Sequence, residues 1–405
     1  MASSLLWRLL APVLIGALTG ACVATASGIV EGQLLTRLAA LPGLVPALFS
    51  PLALLATWVV GRYVTRTFTP ATSELYIQTY LTPGARLPLR EVPGRLLAAA
   101  TTVGFGGSQG FESPSALIGA SWSQLLARWS PSEDTRRTLL AAGASAGIAA
   151  VFSSPAIGAL YGIEVPYRRD VDAPRLAPCA IGAVSAYLVR SALIGARPLL
   201  AVGELPPIDG TYIAACAAIA ISCGLGARLF ATLEEVLRRL GRRQTRIRRA
   251  AIGGVGLMAL AVGGYALSGA WITFGPGYVA ADWLTGTAHP LWLIGAVLAV
   301  RAAGNLICVY GGGGGGVFTS LACTGAFIGQ LIAEAIGRGH AHLLALLGAA
   351  CFLAAGYRLP IACMLWIGEQ SGSVTISIAG LGAIAVSQLL MGDASVSEAQ
   401  AEERE

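Results

Sequence analysis

The chain has 405 residues, of which 55% are hydrophobic and only 12% charged, with a mean hydropathy of +0.69. Soluble domains carry about 25% charged residues, so the composition excludes a soluble globular protein and points to an all-α, polytopic membrane protein. The net charge of +6 comes from basic residues that are all arginine; their one dense run, at 238–249, is flanked by apolar segments, which argues against nucleic-acid binding and fits a cytoplasmic loop under the positive-inside rule.

About eleven apolar runs follow one another, several shorter than the ~20 residues that span a bilayer or broken by Gly and Pro. They begin near Leu5, Leu41, Leu96, Leu139, Ala173, Tyr212, Ala250, Leu291, Val317, Leu343 and Val374. Broken segments are expected where backbone lines a cavity instead of facing lipid. The first run continues past any plausible signal-peptide cleavage point near residues 21–26, which favours an uncleaved membrane helix. A polar interlude at 65–89 holds Thr69-Pro-Ala-Thr-Ser-Glu74, and Ser130-Pro-Ser-Glu-Asp-Thr-Arg-Arg137 reads as a loop with a helix N-cap signal. Residues 202–210, with two prolines and two glycines, read as an extramembrane linker. The chain thus divides into a first half (1–200), a linker (201–211), a second half (212–392) and a short charged tail (393–405) that is expected to be disordered. Eight cysteines without a C-x-x-C pair, and three scattered histidines, predict neither disulfides nor a metal site. No cofactor is expected.

One acid stands out. Glu112 lies in Val103-Gly-Phe-Gly-Gly-Ser-Gln-Gly-Phe-Glu-Ser-Pro114, inside an apolar region. An ionisable group in a membrane segment costs roughly 2.5–3.5 kcal/mol on insertion scales and normally marks an ion or proton path. A glycine-rich bend followed by proline suits a helix start, where free N–H groups favour an anion. An internal repeat frames it. Ala149, Ala150, Phe152, Pro155 and Glu164 correspond to Ala354, Ala355, Tyr357, Pro360 and Glu369, always 205 positions on. The same offset carries Gly110 to Gly315 and Glu112 to Val317, so a second glycine-rich helix start, at 311–318, matches the first. Repeats whose interrupted helices meet near the midplane are a transporter signature.

Taken together, these motifs resemble the CLC family of anion channels and anion/proton antiporters. Gly110-Phe-Glu-Ser-Pro114 is similar to its G-x-E-G-P element and Gly316-Val-Phe-Thr-Ser320 to its G-x-F-x-P element. Residues 147–164 and 357–369 resemble the helix pairs that follow. The resemblance spans roughly residues 5–397 and implies a CLC-type inverted repeat of tilted and interrupted helices, assembled as a homodimer in a lipid bilayer, in a bacterial inner membrane. It also implies a site of Gly110, Phe111, Glu112, Gly316, Val317 and Phe318 around a small inorganic anion, with the N–H groups of Phe111, Glu112, Val317 and Phe318 as donors, the glycines permitting close approach, and Glu112 as a protonatable gate. Glu164 and Glu369 read as structural acids at helix ends.

The chain departs from the family pattern where the anion is usually lined. The serine of the G-S-G-I-P element corresponds to Pro70, the proline of G-x-F-x-P to Ser320, and the C-terminal anion-contacting tyrosine to Ser397, with Val396 as the alternative. The inner proton-relay glutamate that often follows the position of Glu164 is Val165. The expected function is passive or proton-coupled transport of chloride or a related anion such as nitrate. Fluoride/proton antiport and a non-conducting scaffold are the alternatives. No H-E-x-x-H, G-x-S-x-G or intramembrane aspartate pair supports an enzyme.

Overall fold

The computed structural model describes residues 2–66, 72–129, 132–195, 209–337 and 341–404, with backbone alone for 2–8 and 72–73. Most of the expected 201–211 linker therefore lies outside the described residues. The chain opens with α1 (Ala2–Ser27), which continues through a π-helical stretch (Gly28–Leu35) into the short α2 (Thr36–Ala39). Then come α3 (Phe49–Val60), α4 (Thr72–Leu81), α5 (Val92–Gly104), α6 (Glu112–Ala127), α7 (Glu133–Phe152), α8 (Pro155–Glu164) and α9 (Leu176–Ile194). Beyond the linker lie α10 (Gly210–Arg242), α11 (Arg246–Ser268), α12 (Tyr278–Gly286) and α13 (Leu291–Gly311). The last four are α14 (Phe318–Ala335), α15 (Ala341–Tyr357), α16 (Pro360–Ser371) and α17 (Val374–Met391). Among the described residues, eight helical stretches are long and apolar enough to cross a bilayer. Others, such as α6, α8 and α16, are too short, as the broken runs in the sequence required. The serine signal ahead of α7 is used: Ser132 Oγ accepts from the N–H of Thr135 at 3.2 Å.

The core is two helix pairs, α6/α7 and α14/α15, buried over most of their length. Their sequences are rich in Gly, Ala and Ser because the backbones touch. A Cβ on Gly119 would lie 1.9 Å from the carbonyl oxygen of Gly143, and one on Gly143 would lie 2.2 Å from that of Gly119. The second pair repeats the crossing: a Cβ on Gly325 would meet Gly348 O at 2.1 Å, and one on Gly348 would meet Gly325 O at 2.2 Å. Small residues at a crossing replace hydrophobic driving force with close packing. Since backbone atoms cannot yield as a side chain does, Gly143→Val should destabilise the protein by at least about 3 kcal/mol. Thermal melting in detergent measures it, and a melting point near that of the unaltered protein would refute the crossing.

The two halves break their helices alike. Ser153 and Arg358, 205 positions apart, are both left-handed (φ 53° and 59°) and separate α7 from α8 and α15 from α16. Each new helix begins on proline, at Pro155 and Pro360. The two acids at their far ends then cap each other's helix. Glu164 accepts from the N–H groups of Ile361 (2.8 Å) and Ala362 (2.9 Å), while Glu369 accepts from Ser154 Oγ (2.6 Å) and the Ala156 N–H (2.9 Å). Both are structural acids, as the sequence suggested, and a carboxylate at a helix N-terminus meets its dipole favourably. Glu164→Ala leaves two N–H groups without their acceptor and should cost about 2 kcal/mol. A fall in melting temperature with unchanged ion preference is the expected result.

Two sequence expectations need correction. Glu112 corresponds to Phe318, not Val317. The offset is 205 through the helix breaks, but α6 starts at Glu112 and α14 at Phe318, 206 positions on. The glycine run that precedes α14 takes up the extra residue. The tail is ordered, not disordered. The N–H of Val396 donates to Gly356 O at 3.0 Å, and Ala401 pairs with Tyr167 in a parallel bridge. Gln400 Nε2 donates to the carbonyls of Val165 (2.8 Å) and Tyr357 (2.9 Å), and the Ala399 N–H donates to Glu74 Oε2 (2.8 Å). The tail's charge count suggested solvation, but its backbone amides and one glutamine meet partners left open at the ends of α8 and α15.

Candidate functional site

The starts of α6 and α14 are stapled together by their glycines. Gly110 and Gly316 exchange both N–H···O bonds at 2.9 Å in an isolated antiparallel bridge. The glycine run before α14 is held by side chains from the first half: Thr102 Oγ1 accepts from the Gly314 N–H (2.9 Å) and Gln109 Oε1 from the Gly315 N–H (3.0 Å). Both close approaches need glycine. A Cβ at Gly316 would sit 2.5 Å from Ser113 Oγ, and one at Gly110 would sit 2.2 and 2.4 Å from the two carboxylate oxygens of Glu112.

Those last distances define the state of the acid. Glu112 is 1% exposed, and its side chain folds back over Gly110. The carboxylate faces the backbone N–H and hydroxyl of Thr319 in the first turn of α14. Its Oε2 has no hydrogen-bond partner among the described residues. The carboxyl group thus lies between its own N–H at the start of α6 and the first turn of α14, where backbone N–H groups and the dipole favour an anion.

Phe318 is the aromatic wall of this site. Its ring meets Phe152 (5.3 Å between centroids), Tyr161 (5.8 Å) and Tyr357 (5.3 Å), all buried. Tyr76 stacks on Tyr161 at 6.3 Å and donates from its hydroxyl to Gly162 O at 2.5 Å. Five helices, α4, α7, α8, α14 and α15, therefore supply one aromatic collar beside the helix starts. The periodicity of α4 and α8 marks these tyrosines as core and carries no sign of their convergence.

Other expected site residues fall differently. Phe111 is buried against Val23, Val30 and Val103. Its backbone N–H faces the carboxylate of Glu31, not an open site. Glu31 sits on the π-helical stretch after α1, the kind of irregular turn that often accompanies function. Ser320 is engaged on the Arg301 side of α14: it accepts from Arg301 Nη2 and donates to Pro276 O, both at 3.3 Å. Ser397 is buried beside Glu74, whereas its neighbour Val396 lies on the wall of the cavity that reaches the glycine run. Pro70 lies outside the described residues.

Arg301 on α13 was missed by the sequence reading. It is fully buried, its hydrogen bonds go to neutral groups (Ile272 O at 3.2 Å, Gly275 O at 2.7 Å and Ser320 Oγ), and Glu112 is within its electrostatic reach. The reasoning that singled out Glu112, an ionisable residue inside an apolar run, would have found both Arg301 and Glu31. A buried cation beside the helix starts adds to their attraction for an anion.

A cavity of about 470 Å³ leads to this site. Its walls include residues 311–316, Val317, Ser113 and Tyr357, together with Arg238, Arg242, Arg246 and Arg249. Four arginines of the dense run therefore line a cavity that also touches Ser113, the residue after Glu112. Such a lining raises the local concentration of anions.

Two abutted helix starts with a carboxylate between them, reached through an arginine-lined mouth, define a membrane protein that conducts small anions. The family model described as voltage gated chloride channel matches residues 52–392, and the chain belongs to that family. Among curated relatives, it is 29% identical over 362 residues to a Chloride/fluoride channel protein of Pseudomonas syringae pv. tomato, covering 85% of this chain and 75% of that protein. It is 28% identical over 399 residues to the H(+)/Cl(-) exchange transporter ClcA of Cronobacter sakazakii, covering 90% and 81%. Among solved structures, a CLC-type fluoride/proton antiporter superposes over 100% of both chains with a TM-score of 0.84 at 21% identity. A slow cyanobacterial Cl-/H+ antiporter covers 95% of this chain and 94% of its own, at a TM-score of 0.83 and 20% identity. The protein is a CLC transport protein for small inorganic anions and not an enzyme.

Proposed function

We propose that the protein exchanges a small monovalent anion for protons, with Glu112 as both plug and proton carrier. The observation that carries this reading is the Glu112 carboxylate folded over Gly110 onto the start of α14, buried and with one oxygen unpartnered. As a carboxylate it takes the place of the anion; once protonated it loses its attraction for the helix start and leaves. The N–H groups of Glu112, Val317 and Phe318 then hold the anion, with Arg301 behind them. A plug that must gain a proton to open moves that proton along the path. Residues 1–200 and 212–392 supply the two inverted halves.

The arginine-lined mouth faces the cytoplasm, in agreement with the positive-inside rule, and the membrane is the inner membrane of a bacterium. Two copies pair through α9, α16 and α17, where Leu188, Ile361, Leu365, Ile378 and Leu389 present exposed apolar side chains; the remaining apolar faces meet lipid. Fluoride is the second reading for the anion, favoured by the 29%-identical chloride/fluoride relative. Purified protein in liposomes, with chloride, fluoride, nitrate and proton fluxes followed together, tests the proposal. Anion flux accompanied by opposite proton movement is the expected result; intact dimers that pass no anion would make the protein a scaffold and overturn it.

A further inference from the structure

We propose that Glu234 is the proton acceptor on the arginine-lined side, the group through which protons pass between that mouth and Glu112. The inference rests on the reading of Glu112 as a proton carrier. Glu234 lies near the end of α10, only 2% exposed. Its Oε1 accepts both Nε (3.0 Å) and Nη2 (2.5 Å) of Arg238, and its Oε2 is buried without a partner. Buried polar atoms are nearly always satisfied. An acid that holds its counter-ion with one oxygen and leaves the other open can take up a proton without giving up the ion pair.

Its position suits that role. Glu234 lines the cavity that ends at Ser113 and Val317 and also a second cavity of about 420 Å³, bounded by Arg168, Ser395 and Ser397. It stands in the wall between two spaces, each many times the ~30 Å³ of a water molecule. Tyr357 lines the first cavity and is within electrostatic reach of both Glu234 and Glu112. The same cavity thus touches both Glu234 and Ser113, the residue after Glu112, so a proton taken up at Glu234 is on the wall of the space that reaches the gate.

The other charged groups that face Glu234 are placed for different work. From α4, Glu74 engages Oε2 with the Ala399 N–H of the tail. Glu398, from the tail, is exposed. Arg242 on α10, and Arg246 and Arg249 on α11, carry fixed positive charge around the same mouth. Val165, where a relay acid would follow Glu164, is fully buried and its carbonyl is held by Gln400 Nε2. Glu234 alone among these acids combines burial, a partnered cation and an open oxygen on the cavity wall.

The test is paired anion and proton flux in proteoliposomes. Glu234→Gln keeps an oxygen for Arg238 but cannot cycle a proton, and should lower proton flux at least about tenfold while anion flux continues. Glu234→Asp restores a carboxylate and should recover part of the proton flux. Glu235→Gln, at an exposed neighbour paired with Arg239, should change neither flux. An unchanged proton-to-anion ratio in Glu234→Gln, or an Asp variant as uncoupled as the Gln one, overturns the role of Glu234 and leaves the exchange reading standing. Unaltered protein that moves anions without protons overturns both.

Discussion

Replacing Glu112 by glutamine should leave a folded protein whose anion flux no longer varies with pH. The side chain keeps its length, so the cradle over Gly110 still accommodates it. What it loses is the charge that binds it to the start of α14. On the proposed reading, protonation in the unaltered protein removes that charge and frees the N–H groups for an anion, so flux should rise as pH falls. Above the titration point, each pH unit changes the protonated fraction about tenfold, and the flux should follow until another step limits it. Glutamine mimics the protonated acid at every pH, so the variant should conduct at alkaline pH where the unaltered protein is nearly closed. Proton movement coupled to anion movement should vanish with it. Flux measured across the range from pH 5 to pH 8, roughly the span a perturbed carboxylate can cover, decides the matter. A variant that keeps the original pH profile would assign the gate to another group.

Glu112 was legible because membrane burial makes any acid expensive, so one found among glycines needs a reason. The repeat was legible because both halves must break a helix at one place: the left-handed Ser153 and Arg358, each followed by a serine or leucine and then a proline, leave a spacing that survives sequence drift. The starts of α6 and α14 were legible only to within a residue, since a run of six glycines has no side chains to fix its register. The tail was misread because composition reports solvation and says nothing of partners. Its order depends on carbonyls of Val165 and Tyr357, whose lack of helical acceptance follows from where α8 and α15 end. The aromatic collar was illegible for a similar reason. Tyr76, Tyr161, Phe318 and Tyr357 come from distant parts of the chain, and each alone looks like a core residue. Glu31 and Arg301 could have been found, as charges inside apolar runs. What no pattern could supply is that one faces Phe111 and the other sits behind Ser320.

Gly110→Ala should separate the gate from the fold. A Cβ at Gly110 would meet Glu112 Oε1 at 2.2 Å and Oε2 at 2.4 Å, far inside contact distance, while its nearest neighbours are the tip of a flexible side chain. Gly110 is not among the residues with positive φ, so alanine brings no backbone strain. The clash is relieved by moving the carboxylate off the start of α14, which leaves the plug displaced at every pH. Anion flux at neutral pH should therefore rise severalfold, toward that of Glu112→Gln, with melting temperature nearly unchanged, because a shift of 1 kcal/mol or less is typical where only a mobile side chain must yield. Gly316→Ala makes the contrast. Its Cβ would meet Ser113 Oγ at 2.5 Å and the Ser113 backbone nitrogen at 3.0 Å, so the first turn of α6 must shift with it. That variant should lose stability as well as flux. If Gly110→Ala instead conducts and titrates like the unaltered protein, the folded-back carboxylate is not the closed state, and the plug must act from some other position. If it opens while Gly316→Ala melts early, the two glycines of one bridge serve different ends: one keeps room for the gate, the other keeps the two helix starts in register.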